Sequence, residues 1–523
     1  MSVSLTYPGV YIEELPSGVH TITGVATSIA AFIGWAPQGP VDAPTLVESY
    51  SEYATLFGGL DSRSTLGYVV NQFFTNGGQQ CYIVRLVWDG TLPPPITPAP
   101  TPCATASGTV GGLSLSASNP GAWGNNLQIS VTLQPATVPP QPNPPRFSIL
   151  VQLLLANGTL QTLESFVNLS ATSTDPQYAV NVIDNDSNYI TFTSPPSGIS
   201  AATAVALTGG LDDNPALSPN DEFFETALLN PSGGVNLLNQ VEIFNLLCVP
   251  GETDTATIST LQGYCAGQRA FMIVDAPQLI SETELESIGG PGGTIPPGST
   301  FGGISGQYTA YAAYYFPWVS APDPLFGNRP TLFPPCGFVA GIYAATDASR
   351  GVWKAPAGID ASLTGEFGLQ TILSDADNGN LNPLAINCLR HFNVYGDVVW
   401  GARTMAGADQ MGSQWKYVPI RRLALFLESS LYDGTKWVVF EPNDEQLWGQ
   451  IRLNVGAFMQ GLFLQGAFAG TTPQQAYFVK CDAENNPDSS TALGVVNILV
   501  GFAPLYPAEF VVIQIQQLAG QSS

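Results

Sequence analysis

Three features of the sequence predict a multidomain chain of mixed α/β and α+β type. Its 523 residues exceed what one core usually holds, at roughly 150 residues per domain. Residues 241–275 read strand, helix, strand, the pattern of a parallel β-α-β unit. Residues 91–102, TLPPPITPAPTP, form a Pro-rich stretch after which the patterning changes abruptly, as at a domain boundary. These features divide the chain into segments 1–90, 91–210, 211–385 and 386–523.

The first segment opens with an extended stretch, 3–13, interrupted by Pro8-Gly9. The apolar, β-branched run 21–35 predicts a strand, 49–57 and 66–74 two short helices, and 81–87 another strand. In the second segment, short strands at 127–133, 147–155 and 189–193 alternate with Gly, Pro and Asn turns. Helical periodicity is nearly absent, so 103–210 reads as an all-β domain inserted into the main body. In the third segment the apolar runs 241–249 and 270–275 flank a helical stretch, 253–267. That arrangement implies a parallel sheet covered on both faces. Residues 289–306 form a Gly/Pro-rich loop, 308–319 a third strand of the same sheet, and 336–347 a further helix.

The last segment places Trp400 in a strand, a helix at 419–431 and a strand at 437–440. Asn443 is the expected N-cap of the clearest helix, with Asp444 and Glu445 in its first turn and Gln446 at the capping-box position. Leu447, Ile451, Val455, Phe458 and Leu462 follow at helical spacing, and Gly466 ends the run. Near the C-terminus, residues 510–517 read as a strand, with Ile513 and Ile515 alternating with Gln514 and Gln516. Both ends therefore read as lone strands with no hairpin partner nearby. Such strands either connect copies of a polymer or pair within their own chain.

Charged residues make up 11% of the chain, against roughly 25% in an average soluble protein. That poverty fits a surface covered by neighbours, and equally an extracellular β-rich protein. Forty acidic residues against fifteen basic ones, net −25, argue against nucleic acid, which needs clustered Lys and Arg. The seven scattered cysteines have no CxxC spacing, so free thiols are the simpler reading than disulfides or zinc. The start, MSVSLTYPGVYIEE, lacks the basic and apolar regions of a Sec leader, so synthesis and assembly are expected in the cytoplasm. The most apolar stretch, 493–515, is broken by Pro504, Pro507 and Glu509 and does not read as a membrane span.

No catalytic constellation is legible. His20 and His391 stand outside any recognised motif, and there is no GxSxG. The glycines at 289–293 have no Lys nearby, and Gly434-Thr435-Lys436 lacks the upstream glycine of a P-loop. Asp212-Asp213 and Asp375/Asp377 lie in Gly, Asn and Pro loops and read as solvated turn acids. The expectation is a non-enzyme with no catalytic, cofactor or metal residues.

Four groups of residues carry a resemblance. They are Tyr7-Pro8-Gly9-Val10-Tyr11-Ile12; the run around Arg350, Trp353, Lys354 and Pro356; Asn387-Cys-Leu-Arg390 with Trp400 and Arg403; and Arg421-Arg422 with Trp437, Glu441-Pro442-Asn443 and Pro507-Ala-Glu-Phe-Val511. In this order they resemble the contractile tail sheath family of phages, R-type pyocins and extracellular contractile injection systems. Residues 91–210 match nothing in it, and 391–396 depart from its usual pattern.

The resemblance implies a tail-sheath-like fold whose terminal strands are exchanged between subunits. The exchanged arms would be Tyr7 to Ile12 and Phe510, Val511, Val512, Ile513 and Ile515. The partners implied are the chain itself, in stacked six-subunit rings, an inner tube protein, baseplate and terminal cap proteins, and sister sheath subunits. The 386–523 segment would form the inner layer against the tube; the Pro-rich boundary and the abrupt change to β patterning, rather than the resemblance, point to 103–210 as the outward face of such a sleeve. The sleeve would belong to a virion tail or a released particle, with no nucleic acid bound and no direct membrane insertion. The rival readings are another structural part of the same particle, or a secreted hydrolase with a β accessory domain.

Overall fold

The computed structural model describes residues 20–134, 146–293 and 302–514. The expected arm residues Tyr7, Pro8, Gly9, Val10, Tyr11, Ile12 and Ile515 lie outside them. The chain divides into two compact units: Thr27–Ser349 with Pro356–Val418, and Met1–Ala26 with Arg350–Ala355 and Pro419–Ser523.

The larger unit begins with β1 (Ala30–Trp35), buried along its whole length as the centre of a parallel sheet must be. It continues through β2 (Thr45–Val47), α1 (Tyr50–Phe57), α2 (Leu66–Thr75) and β3 (Cys81–Leu86). Ser49 caps α1 by accepting from the Glu52 amide, and Gly58 ends it in left-handed backbone. β3 runs parallel to β1, from Ala30 opposite Cys81 to Trp35 opposite Leu86.

The chain then enters a lobe of β4 (Ser107–Val110), β5 (Leu113–Ala117), β6 (Leu127–Leu133), β7 (Phe147–Leu154), β8 (Leu160–Leu169), α3 (Ala179–Asp186), β9 (Ile190–Phe192) and β10 (Ala202–Ala206). It forms two sheets, ordered β10-β6-β7-β8 and β4-β5-β9. Alternate residues such as Leu127, Ile129 and Val131 face a shared core with Phe147, Ile149 and Val151. The all-β expectation is corrected by α3, which buries only Ala179 and Ile183. Two apolar anchors in eight Asn- and Asp-rich residues leave too little periodicity to read.

The chain leaves the lobe where it entered, with Thr101 bridged to Asn214 and Ala104 to Leu211. It proceeds through α4 (Glu222–Leu228), β11 (Leu246–Cys248), α5 (Thr255–Gln268), β12 (Phe271–Asp275), α6 (Glu282–Ile288), β13 (Ala312–Phe316), β14 (Val319–Asp323), β15 (Arg329–Phe333) and α7 (Cys336–Arg350). β16 (Gly368–Leu369), α8 (Asp375–Leu381), β17 (Ile386–Phe392) and β18 (Gly396–Val399) complete the unit. The main sheet has the order β18-β17-β13-β12-β11-β1-β3-β2, with parallel pairing from β17 to β3. The β-α-β unit and the third strand are thus as expected. Helices cover both faces. Ile258 and Leu261 of α5 join the core on one side, and Phe73 of α2 meets Phe32 on the other.

Two expectations are corrected here. The boundary expected at 385/386 cuts through the main sheet, because Ile386 pairs with Tyr314 and the chain stays in this unit to Val418. Trp400 lies one residue past β18 rather than within a strand.

The smaller unit holds α9 (Val418–Gly434), α10 (Glu445–Leu464), α11 (Pro473–Ala476), β19 (Tyr477–Lys480), α12 (Asp488–Thr491) and β20 (Leu499–Phe502). Leu447, Ile451, Val455 and Leu462 of α10 pack with Leu423 and Leu427 of α9 and with Ile22. The N-cap of α10 is Asp444, which accepts from the Leu447 amide, rather than Asn443. Residues 437–440 form no strand. Lys436–Val438 is a 3₁₀ turn, and Val439 and Phe440 point into solvent. β propensity without a partner strand to pair with does not make a strand. The C-terminal run from Phe510 to Gln514 is likewise in no strand among the described residues.

Candidate functional site

Several of the signature residues are buried polar groups, and two of them, Asn387 and Arg403, are bonded to each other. On β17, the Asn387 side chain donates to the carbonyls of Tyr314 and Arg403, at 3.1 and 2.7 Å, and accepts from the Arg403 amide at 2.7 Å. A Cβ at Gly401 would stand 2.8 Å from Asn387, so this close approach requires glycine. Arg403, 1% exposed, sends its guanidinium to the Asn382 carbonyl at 2.9 Å and to Asp409 Oδ1 at 3.0 Å. Lys416 also reaches that oxygen, at 2.6 Å. Lys416 first, and Arg403 with it, holds the Asp409 carboxyl below the usual carboxylate range. Arg390 is buried too, donating to Asp375 at 2.8 Å and to the Leu373 carbonyl at 3.1 Å.

A second knot joins the lobe to the body. Asp213 is not the solvated turn acid expected; it is 2% exposed. It accepts from Trp35 Nε1 and from the amides of Trp88 and Leu217, and burial pushes its carboxyl up. Asp212 pairs with Arg63 at 2.8 Å, and Arg63 lies over the Trp35 ring. Asp375, by contrast, is exposed, and Asp377 closes a capping box with Ser374. Nothing in GGLDDNP marks one aspartate as buried, so sequence reasoning missed Asp213.

In the smaller unit, Val352 is a core residue and Trp353 packs against that core. Gly351 adopts φ +89°, and a Cβ there would strike the Trp353 ring. Lys354 donates to the Ala355 carbonyl, and Arg350 lies exposed at the end of α7. Pro356, in the larger unit, is buried. Arg421 and Arg422 on α9 are 4% and 3% exposed, and Arg421 pairs with Glu428 at 3.3 Å. The His20 ring stacks on Trp437, centroids 4.1 Å apart. Asn443 accepts from Trp448 Nε1 and donates to the Val495 carbonyl, while Glu441 and Pro442 are exposed.

The exposed apolar residues mark a different surface. β19 and β20 pair only with each other, Tyr477 opposite Phe502 and Lys480 opposite Leu499, with no third named strand among the described residues. Phe478 and Leu499 on this hairpin are each 52% exposed. Beyond it, Phe510 is 75% exposed, and Val511, Val512 and Ile513 are each 80% exposed.

A cleft of about 600 Å³ opens at the carboxyl ends of β1, β11 and β12, where the strand order reverses. Its Tyr68 hydroxyl donates to Asp323 at 2.9 Å, in the cleft wall. Among the described residues no group of three or more His, Cys, Asp or Glu is placed to hold a metal ion. No described helix is long and apolar enough to cross a membrane.

The signature positions thus serve architecture: a doubly covered parallel sheet and a helical unit, each knit by buried polar residues. Residues 237–405 match the family described as phage tail sheath protein central domain, and residues 410–517 the phage tail sheath C-terminal domain. The tail sheath protein of Vibrio phage KVP40 is 28% identical over 165 residues, 31% of this chain and 23% of that protein. A putative prophage major tail sheath protein of Pseudomonas aeruginosa is 24% identical over 275 residues, 50% of this chain and 62% of that one. The matches therefore span less than two thirds of either relative. The fold is similar to the sheath of an extracellular contractile injection system, PVC, solved in the contracted state. That match has TM-score 0.56 and 21% identity, and covers 99% of each chain. The chain belongs to the contractile tail sheath family, and its role is that of a structural sheath component.

Proposed function

We propose that the chain polymerises into a helical sleeve of stacked six-subunit rings around an inner tube of a second protein. The sleeve is assembled extended and metastable, and its contraction drives the tube through a target envelope. The observation that supports this most is the run Phe510 to Ile513, four consecutive apolar side chains each at least 75% exposed. An apolar run of this kind is a contact surface rather than a monomer surface. The alternation that follows it in the sequence, Ile513 and Ile515 with Gln514 and Gln516, suits addition to the edge of a neighbour's β19–β20 sheet, through backbone hydrogen bonds. Tyr7 to Ile12 serves as the second such arm. The smaller unit faces the tube, the lobe faces outward, and baseplate and cap proteins close the ends of a virion tail or released particle.

Negative-stain microscopy of the purified chain tests this. Striated hollow sleeves are expected; discrete monomers at every concentration overturn the reading.

A further inference from the structure

We propose that the Phe440 loop of one subunit is a knob that inserts into a groove beside α10 of a second copy. The proposal rests on the sleeve reading above and names a contact within it.

The knob is unusual in two ways. Phe440 is 102% exposed, and its backbone is left-handed, φ +72°, a conformation that is costly for a bulky side chain. Local backbone bonds hold the loop: the Val439 amide donates to the Lys436 carbonyl, Glu441 to Val438, and Asp444 to Pro442. Val439 beside it is 63% exposed. The loop therefore presents two apolar side chains on a braced backbone, which lowers the ordering cost of binding.

The groove lies on the same compact unit. It holds about 460 Å³ and is lined by Ile22, Gly24, Phe426, Phe458, Gly461 and Asn454, among others, none of them charged. Phe426 and Phe458 stand 6.1 Å apart in its wall, and a Cβ at Gly461 would meet nothing within 4 Å. Asn454 supplies the polar half of the argument. It is 3% exposed and its Oδ1 accepts from the His20 amide, yet its Nδ2 has no partner among the described residues. A buried donor left unmade is costly. The groove thus asks for an apolar ring together with a carbonyl acceptor, and a braced loop carrying Phe440 offers both.

The knob precedes the first turn of α10, and the groove flanks its last turns, so one loop cannot fill its own groove without breaking the turn that holds it. Two different patches on one chain make a heterologous contact, which propagates as a ring or helix rather than closing as a dimer.

The test uses the full-length chain, with sedimentation and negative-stain microscopy as readouts and circular dichroism to confirm folding. Phe440→Asp removes the knob, and Gly461→Trp fills the groove where there is room. Each is expected to raise the concentration needed for assembly by about tenfold or more, as loss of a central aromatic anchor does. Phe440→Cys combined with Gly461→Cys is expected to give an oxidation ladder of covalent multimers on a non-reducing gel. If the unaltered chain builds sleeves and Phe440→Asp does too, the proposal is overturned. If only Gly461→Trp prevents assembly, the groove receives another segment, residues 1–19 of a neighbour being one, and the proposal is equally overturned. Absence of the ladder in formed sleeves also overturns it. If the unaltered chain builds no sleeves, the sleeve reading itself has failed, and the proposal with it.

Discussion

The indole of Trp35 donates to Asp213 Oδ1 at 2.6 Å, although 178 residues separate them in sequence. The bond ties the end of the first core strand to the point where the chain returns from the lobe. The same carboxylate accepts from the amides of Trp88 and Leu217, so one buried side chain anchors both the entry and the exit.

Asp213→Ala is therefore expected to destabilise the larger unit by about 3 kcal/mol, since three buried donors lose their acceptor. Urea unfolding followed by tryptophan fluorescence measures this. A loss below about 1 kcal/mol would show that water or a neighbouring group replaces the carboxylate.

Arg403→Met should cost a similar amount, about 3 kcal/mol, because the Asn382 carbonyl and Asp409 lose a buried cation. The Asp409 carboxyl should also titrate at higher pH in the variant, which NMR of labelled aspartate detects. It should not rise all the way to an ordinary value, because Lys416 still bonds it.

The chain should be more stable near pH 5 than near pH 8. Burial raises the Asp275 carboxyl from 3.8 to about 6, although the amides of Gly251 and Cys336 pull it back. Burial and then the neighbouring carboxylates, Glu252 first, raise Glu225 from 4.5 to about 7. A raised folded pKa stabilises fully below the unfolded value and loses that contribution as pH climbs through the folded one. Asp275 thus contributes roughly 3 kcal/mol below pH 4 that is gone above pH 7. Groups held low, such as Asp61 and Asp409, act in the opposite sense and only below about pH 4. Thermal melts across pH 5 to 8 should fall by several degrees, and Asp275→Asn should remove part of that slope, with Glu225 keeping the rest. A flat profile in the unaltered chain would refute the assignment.

Replacing residues 105–210 by a short Gly-Ser linker should leave the remaining fold and assembly intact. The bridges Thr101–Asn214 and Ala104–Leu211 already hold the two ends side by side, and Asp213 is retained. Insolubility of the shortened chain would place the lobe among the elements the body needs.

Removing residues 1–14, or 509–523, should leave folded subunits that build no stable sleeve. In the proposed sleeve, contraction would move subunits by rigid-body shifts that break side-chain interfaces, whereas a strand donated into a neighbour's sheet would keep its ladder of backbone bonds. Native-like circular dichroism with no sleeves is the expected result. Sleeves that still contract after either truncation would sink the idea.

Local chemistry carried much of the fold into the sequence. Ser49 and Gly58 bracket α1, the apolar runs at β11 and β12 flank α5, and the heptad-like spacing from Leu447 to Leu462 marks α10. Each of these signals arises within a few residues, where capping, periodicity and strand burial act. The resemblance at Asn387 and Arg403 likewise pointed to residues that form one buried knot. Pairing partners were a different matter. Whether Ile386 joins Tyr314 depends on a segment 72 residues away in sequence, and residues 437–440 find no partner strand among the described residues. The same holds for burial of charge. Asp212 and Asp213 are chemically identical neighbours, yet one faces Arg63 at the surface and the other three donors in the interior. Periodicity and capping are properties of a short stretch of chain and can be read from it. Strand register and the desolvation of a carboxylate are set by atoms that only the folded chain brings within a few ångströms, so tertiary structure alone decided them.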